Sequence, residues 1–244
     1  SFIISLIILF SPGISSADNL WNDLFGNINN QNVASTYGTW SYLYSPPGDL
    51  TSANFILFPN YNTYYSNTLG VWTNSYSGLG VGGNLTNAPA TWWSGNWQAP
   101  ARAVYLHPSA TVGAPVDIYS VIRWTSSNTQ TVNLSFRFSD LDADCGDGVD
   151  WWGRKGDTTL SSGSFGNGGS ISTTVIQNIS LNTNENINFV VGPRSSNYSC
   201  DATLLEATFT SINYSVPTMT EWGMILFMLL AGLGAVYYLR RQRV

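Results

Sequence analysis

Hydrophobic and polar residues alternate over short stretches between residues 39 and 212 of the chain. A period of two is typical of strands that bury one face. Gly, Asn, Ser and Pro separate these stretches, as expected at turns. At least nine strands are predicted in this way: Thr39–Tyr44, Asn54–Phe58, Gly70–Thr73, Ala103–His107, Ile118–Trp124, Thr131–Phe138, Ser172–Ile176, Ile187–Val191 and Ala207–Ile212.

This strand count favours an all-β fold, a two-sheet antiparallel β-sandwich of the jelly-roll type. Nearly 200 residues are enough to bury a substantial core. Neither a repeat nor a linker divides the segment, so we expect one domain over residues 18–214. The segment Asn19–Val33 is expected to be a short helix or an N-terminal extension.

The N-terminal residues resemble the end of a secretory signal. An apolar run, Phe2–Phe10, is followed by the small residues Ser15, Ser16 and Ala17. We therefore expect residues 1–17 to be a signal peptide, truncated at its start, with Asp18 as the first mature residue. The alternative is a buried strand.

The C-terminal residues predict one membrane-spanning helix. The 18 residues from Trp222 to Leu239 carry no charge. Such a helix spans about 27 Å, close to the thickness of the hydrocarbon core of a bilayer. The basic residues Arg240, Arg241 and Arg243 follow, so we expect a cytoplasmic C-terminus and an exported domain.

A short motif precedes and overlaps this helix. Its residues are Val216, Pro217, Thr218, Met219, Thr220, Glu221, Trp222 and Gly223. The octet resembles the IPTL-CTERM sorting signal, whose pattern is Ile-Pro-Thr-Leu-Ser-Glu-Trp-Gly, and five positions match. The resemblance assigns residues 215–244 to a sorting signal. It implies a Gram-negative envelope protein handled by a membrane-embedded sorting protease of the exosortase type. An uncleaved membrane anchor is the alternative.

Composition agrees with an exported β-protein. Hydrophobic residues make up 43% of the 244 residues, but charged residues only 9%, against about 25% in ordinary domains. Apart from the C-terminal tail and Glu221, the chain carries 6 basic and 13 acidic residues. This part of the chain has no cluster of basic residues along one segment, so we do not expect it to bind nucleic acid.

The two cysteines, Cys145 and Cys200, predict one disulfide because the chain is expected to be exported. Two free buried thiols are the alternative. With one histidine in the chain, a structural zinc site is not expected.

An acidic segment contains five candidate calcium ligands: Asp140, Asp142, Asp144, Asp147 and Asp150. These carboxylates repel one another unless a cation lies among them, and Ca²⁺ takes about six to eight oxygen ligands. An EF-hand match fails, because Cys145 and Trp151 replace the required Gly and Glu. A solvated acidic loop is the alternative, and no cofactor is required.

Aromatic residues are abundant, and four are candidate sugar-binding residues: Trp93, Trp97, Trp151 and Trp152. They lie in segments rich in Gly, Asn and Ser, and an exposed ring can stack on a sugar. The alternative is burial in the core, which we expect for Trp40, Trp72 and Trp124 in alternating strands.

The order of the strands resembles exported bacterial domains with a carbohydrate-binding-module-like, galactose-binding-like jelly roll. The matching pieces span residues 38–212 and include Trp40–Tyr44, Val121–Thr125, Phe189–Pro193 and Tyr198–Thr203. Several such domains carry a C-terminal sorting signal. The resemblance implies the fold more strongly than a function.

The expected function is that of a sorted or membrane-anchored cell-surface or matrix protein. Its non-catalytic sandwich is expected to bind glycans such as exopolysaccharide. His107 is the one histidine, and no Gly-x-Ser-x-Gly elbow accompanies it, so an enzyme is not expected; His107 is expected to be a turn residue that hydrogen-bonds locally. The alternatives are a surface glycan hydrolase with paired carboxylates and a purely structural envelope component.

Overall fold

The computed structural model describes residues 17–20, 36–37, 39–92, 97–112, 116–212 and 219–242. The chain divides into two compact units, one over residues 16–212 and one that includes the C-terminal residues from 213 onward. Residues 1–16 of the expected signal peptide lie outside the described residues, as do residues 21–33 of the uncertain N-terminal segment.

The first unit is built from strands. In the described part of the chain these are β1 (Ala17–Asn19), β2 (Thr36–Tyr37), β3 (Trp40–Tyr44), β4 (Ile56–Leu57), β5 (Asn60–Tyr64), β6 (Leu69–Thr73), β7 (Gly80–Asn84), β8 (Ala90–Trp92), β9 (Trp97–Ala99), β10 (Val104–His107), β11 (Ser109–Ala110), β12 (Asp117–Ile118), β13 (Ser120–Thr125), β14 (Gln130–Asp140), β15 (Val149–Lys155), β16 (Thr158–Phe165), β17 (Thr174–Leu181), β18 (Asn186–Pro193) and β19 (Thr203–Ser211).

Two large antiparallel sheets contain most of these strands. Among the described residues, the eight-stranded sheet has the order β17-β14-β19-β10-β7-β6-β5, with β1 also paired to β19. The seven-stranded sheet has the order β16-β15-β18-β13-β3-β2, with β4 paired to β3. Two short hairpins, β8-β9 and β11-β12, complete the unit. The predicted two-sheet antiparallel β-sandwich is confirmed.

Aromatic side chains join the two sheets. Trp40 and Trp124 are paired in register on the seven-stranded sheet, and both contact Phe209 of the eight-stranded sheet. The Trp124 and Phe209 rings stack with centroids 4.2 Å apart. Phe136 and Phe189 make a second, edge-to-face contact across the same interior. The core prediction for the strand tryptophans is therefore confirmed.

Alternation also places side chains on the outer face of the eight-stranded sheet. Trp72 and Leu106 point into the core, whereas their neighbours Val71 and Tyr105 join a second apolar cluster outside it. This second cluster has room on the sheet because strand β7 contains glycines, which carry no side chain. A Cβ on Gly82 would lie 2.9 Å from the Tyr105 ring, so glycine is required where that ring crosses β7.

The predicted strand Asn54–Phe58 is largely wrong. Residues Ser52–Asn54 form a short 3₁₀ turn, and only Ile56–Leu57 pair as a strand. The Asp49 carboxylate accepts hydrogen bonds from the Thr51 N–H and the Asn54 amide, both at 2.7 Å. These local bonds stabilise a turn in place of an extended backbone.

The disulfide Cys145–Cys200 is present and joins positions 55 residues apart. It connects the acidic segment after β14 to the loop before β19. The disulfide prediction is confirmed.

In the C-terminal unit, the described residues form one helix, α1 (Met219–Arg241). Its segment Gly223–Arg241 has a mean hydropathy of 1.6 and is long and apolar enough to cross a membrane. Arg240 and Arg241 lie in its last turn. Arg243 and the motif residues Val216, Pro217 and Thr218 lie outside the described residues.

We predict that replacing both cysteines with alanine lowers the free energy of unfolding by about 3–4 kcal/mol, because the crosslink restricts the unfolded chain. Urea unfolding of the full chain in detergent measures this change. The wild-type chain in reductant should lose the same amount. An unchanged urea midpoint in either sample would contradict the prediction.

Candidate functional site

A pocket of about 600 Å³ lies on the outer face of the eight-stranded sheet. We call it the tyrosine pocket. Its floor comes from β6, β9 and β10, and its walls come from the loops that flank β5, β7, β14 and β19. It is lined by Tyr64, Tyr65, Val71, Thr73, Asn74, Tyr76, Ser77, Gly78, Leu79, Trp97, Tyr105, His107, Asp142, Tyr198, Ser199 and Cys200.

Tyrosines form the accessible wall of the pocket. Tyr64 and Tyr65 are 45% and 42% exposed, and Tyr198 is half-buried. A Cβ on Gly78 would lie 3.2 Å from the His107 ring and 3.5 Å from the Tyr198 ring. The His107 and Tyr198 rings can both pack against the backbone at Gly78 because this residue has no side chain. Its φ of +76° also favours glycine.

Two buried polar atoms in the pocket lining have no hydrogen-bond partner: Asn74 Nδ2 and Asp142 Oδ1. The orientation of the Asn74 amide is fixed, because its Oδ1 accepts a hydrogen bond from the Tyr76 N–H at 2.8 Å. One atom is thus a free donor and the other a free acceptor. Buried polar atoms of this kind are usually paired, so the pocket lining contains an unpaired donor and an unpaired acceptor.

Trp97, Asp142 and His107 form a connected group at the floor of the pocket. Trp97 Nε1 donates a hydrogen bond to Asp142 Oδ2, and the Trp97 ring stacks on His107 with centroids 5.8 Å apart. Burial lowers the pKa of His107 to about 4, so the ring is neutral at neutral pH. Burial also raises the pKa of Asp142, and the Trp97 hydrogen bond opposes that rise.

His107 hydrogen-bonds locally, as expected, but it is the last residue of strand β10 and not a turn residue. Its Nδ1 lies 2.8 Å from the Pro108 carbonyl oxygen. Because a carbonyl only accepts, Nδ1 carries the proton and Nε2 is left as an acceptor.

Of the four candidate tryptophans, the three that the structure describes lie in three different places. Trp93 lies outside the described residues. Trp151 is buried in the core between the sheets, and Trp97 is buried under the tyrosine pocket. Trp152 packs on the outer face of the seven-stranded sheet, edge-to-face with Tyr119. Trp97 and Trp151 are both buried, as in the core alternative, and neither presents an exposed ring that could stack on a sugar.

The five candidate calcium ligands differ in their surroundings. Both Asp140 oxygens accept backbone hydrogen bonds, from the Asp142 N–H at 2.8 Å and the Gly168 N–H at 2.6 Å. Asp142 faces the tyrosine pocket, Asp144 is exposed, and Asp150 lies in strand β15. Within the part of the chain that the structure describes, no group of three His, Cys, Asp or Glu side chains could hold a metal ion. Calcium binding by these five aspartates therefore stays a prediction, with a solvated acidic loop as its alternative.

Asp201 is the unusual carboxyl group of this region. It is only 2% exposed, and neither of its oxygens has a hydrogen-bond partner. Burial, with added repulsion from Asp147 and Asp140, raises the pKa of Asp201 to about 8. A neutral carboxylic acid is therefore the stable form at neutral pH.

Comparison with known protein families identifies the C-terminal residues. The model of the IPTL-CTERM motif matches residues 214–243. The chain carries the IPTL-CTERM motif. This match confirms the resemblance seen in Val216–Gly223, and the described part of the IPTL-CTERM segment contains the apolar helix α1.

Solved structures give weaker similarities. CBM51 from Clostridium perfringens GH95, in complex with methyl-galactose, is 8% identical with a TM-score of 0.33, covering 69% of this chain and 99% of its own. The Stig cyclase Fisc from Fischerella sp. TAU is 12% identical with a TM-score of 0.36, covering 72% and 100%. The carbohydrate-binding module CBM36, in complex with calcium and xylotriose, is 12% identical with a TM-score of 0.26, covering 43% and 88%.

At these TM-scores the similarities carry no argument about the site, and the fold assignment rests on the strand pairing described above. No curated protein sequence matches the chain.

We predict that Asp201→Asn removes a pH dependence of stability. Because the pKa of Asp201 is raised in the folded state, the unfolded chain releases this proton first, and stability is lost as the pH rises from about 4 to about 8. The variant should be more stable than the wild type at pH 8, and the difference should be much smaller at pH 5. Thermal unfolding in EDTA at both values measures this difference.

The matched control is Asp144→Asn, which changes an exposed aspartate of the same region and should follow the wild type. A variant at Asp201 that is equally destabilised at pH 5 and pH 8 would contradict a neutral carboxyl group.

Proposed function

We propose that this protein is an exported cell-surface or matrix protein that binds glycans in the tyrosine pocket without catalysis. The observation that carries the proposal is the pair of unpartnered buried atoms, Asn74 Nδ2 and Asp142 Oδ1, in one tyrosine-lined pocket. A hydroxyl group accepts from the first and donates to the second. Sugars present many hydroxyl groups of this kind.

The tyrosines supply the second half of sugar recognition. Tyr64, Tyr65 and Tyr198 offer accessible aromatic surface beside the polar atoms. An aromatic ring covers the apolar C–H face of a sugar while side-chain oxygens and nitrogens hold its hydroxyl groups. The pocket volume of about 600 Å³ lies within the usual range for small-ligand sites, about 300–1,000 Å³.

A non-catalytic role is supported by the number of carboxyl groups in the pocket. Hydrolysis of glycosides ordinarily needs two carboxyl groups on either side of the scissile bond. Among the described residues that line the pocket, Asp142 is the one carboxylate. Asp142 is also engaged by Trp97, which suits a fixed hydrogen-bond acceptor better than a proton-transfer group.

We expect the C-terminal segment to direct the protein to the cell envelope. In this proposal residues 1–17 direct export, residues 18–214 form the binding domain, and residues 215–244 carry the sorting motif and the membrane helix. A membrane-embedded sorting protease of a Gram-negative cell recognises the motif. Until it acts, α1 holds the protein in the membrane with Arg240 and Arg241 on the cytoplasmic side.

We predict that Tyr198→Ala weakens retention by a polysaccharide about fivefold or more, because a stacked aromatic ring contributes about 1 kcal/mol beyond its buried area. The full chain in detergent is run through native gels that contain galactan, glucan, mannan or xylan. Trp152→Phe is the control, an aromatic change on the opposite sheet. Equal loss of retention in both variants, or retention that survives Tyr198→Ala, would place the binding surface elsewhere.

We also predict that the protein recovered from its native envelope has lost its C-terminal residues. Its intact mass should correspond to an end near residues 216–223, because the IPTL-CTERM motif marks the processing region. Trp222→Ala should leave the full C-terminus in place. A wild-type mass that still includes Arg240 and Arg241 would mean that the helix is a permanent anchor.

A further inference from the structure

The tyrosine pocket has an uneven distribution of charge. Its described lining contains neither Lys nor Arg, and its one carboxylate is Asp142. The His107 ring is neutral at neutral pH, because burial lowers its pKa to about 4. An anionic ligand would therefore lie beside a negative charge and find no positive partner, which is strongly unfavourable away from water.

The Asp142 carboxylate is held in a fixed orientation. Trp97 Nε1 donates a hydrogen bond to Asp142 Oδ2. The Trp97 ring in turn packs against the rings of His107 and Tyr105. The Asp142 N–H donates to Asp140 Oδ1 at 2.8 Å, which fixes the backbone as well. Oδ1 remains buried and without a partner. A ligand hydroxyl or ammonium group that donates to this oxygen would supply the partner that Oδ1 lacks.

We propose that Asp142 is the specificity-determining residue of the tyrosine pocket and makes it select uncharged and amino sugars while it rejects uronic, sialic and sulfated sugars. This inference rests on the function proposed above. Recognition of acidic sugars would need a cationic side chain such as Arg or Lys, which the described lining lacks.

The test uses sugars that differ at one substituent. Methyl glycosides of glucose, galactose and mannose are titrated into the full chain in detergent micelles, together with the corresponding uronic acids and 2-amino sugars, and binding is measured by saturation-transfer NMR. The wild type should bind at least one hexose about tenfold or more tightly than its uronic acid.

Asp142→Asn should weaken binding of that hexose about 10- to 100-fold, because the hydrogen bond to a charged acceptor becomes one to a neutral amide. Binding of the uronic acid should not weaken, so the variant should lose the preference for the hexose over its uronic acid. Asp144→Asn is the matched control, since it removes the same charge from an exposed position outside the pocket, and it should preserve the preference.

Two results would overturn the inference while leaving the proposed function intact: a wild type that binds the uronic acid as tightly as the hexose, or an Asp142→Asn variant that keeps the wild-type preference. If this variant does not fold, the wild-type comparison of hexose and uronic acid decides the question alone. A wild type that binds none of the sugars, whatever their charge, would overturn both proposals.

Discussion

The aromatic contacts between the two sheets determine how the rest of the sandwich is arranged. Once Trp124 stacks on Phe209 and Trp40 packs against the same ring, the alternation along each strand decides which side chains face outward. Tyr105 and His107 are placed outside in this way, next to the inward-facing Leu106. The floor of the tyrosine pocket therefore depends on the packing of the core beneath it. The disulfide adds a second constraint, because it ties the wall residue Cys200 to the acidic segment that follows β14.

Much of the fold was predictable from alternation, because strands with one buried face carry their pattern in the sequence. Strands β3, β6, β10, β14, β18 and β19 lie where the pattern places them. The strands that were missed break the pattern. Strand β7 reads Gly-Val-Gly-Gly-Asn, and Gly82 makes room for the Tyr105 ring, a contact that exists only in the folded chain. Strand β15 begins beside the acidic segment and contains two adjacent tryptophans, Trp151 facing inward and Trp152 facing outward.

The candidate site was only partly predictable, because it is assembled from residues far apart in the chain. The sequence singled out Trp97, Asp142 and Cys200, and all three line the tyrosine pocket. Trp97 is buried and orients Asp142, whereas its sequence context favoured an exposed ring. Asp142 faces the pocket, and its part in calcium binding stays a prediction. Tyr198 and Asn74 carried no distinctive spacing. The one feature that could have indicated this pocket is the concentration of tyrosines in turns rich in Asn and Ser. The hydrogen-bond partners of Asn74 and Asp142 could not be predicted, because they depend on tertiary contacts.

The central claim is that one pocket on the eight-stranded sheet receives a sugar. A crystal structure of the protein with a neutral oligosaccharide tests it most directly. The account predicts a sugar ring against the tyrosine wall, with one hydroxyl group within hydrogen-bonding distance of both Asn74 Nδ2 and Asp142 Oδ1. A sugar bound instead on the outer face of the seven-stranded sheet, beside Trp152, would contradict it.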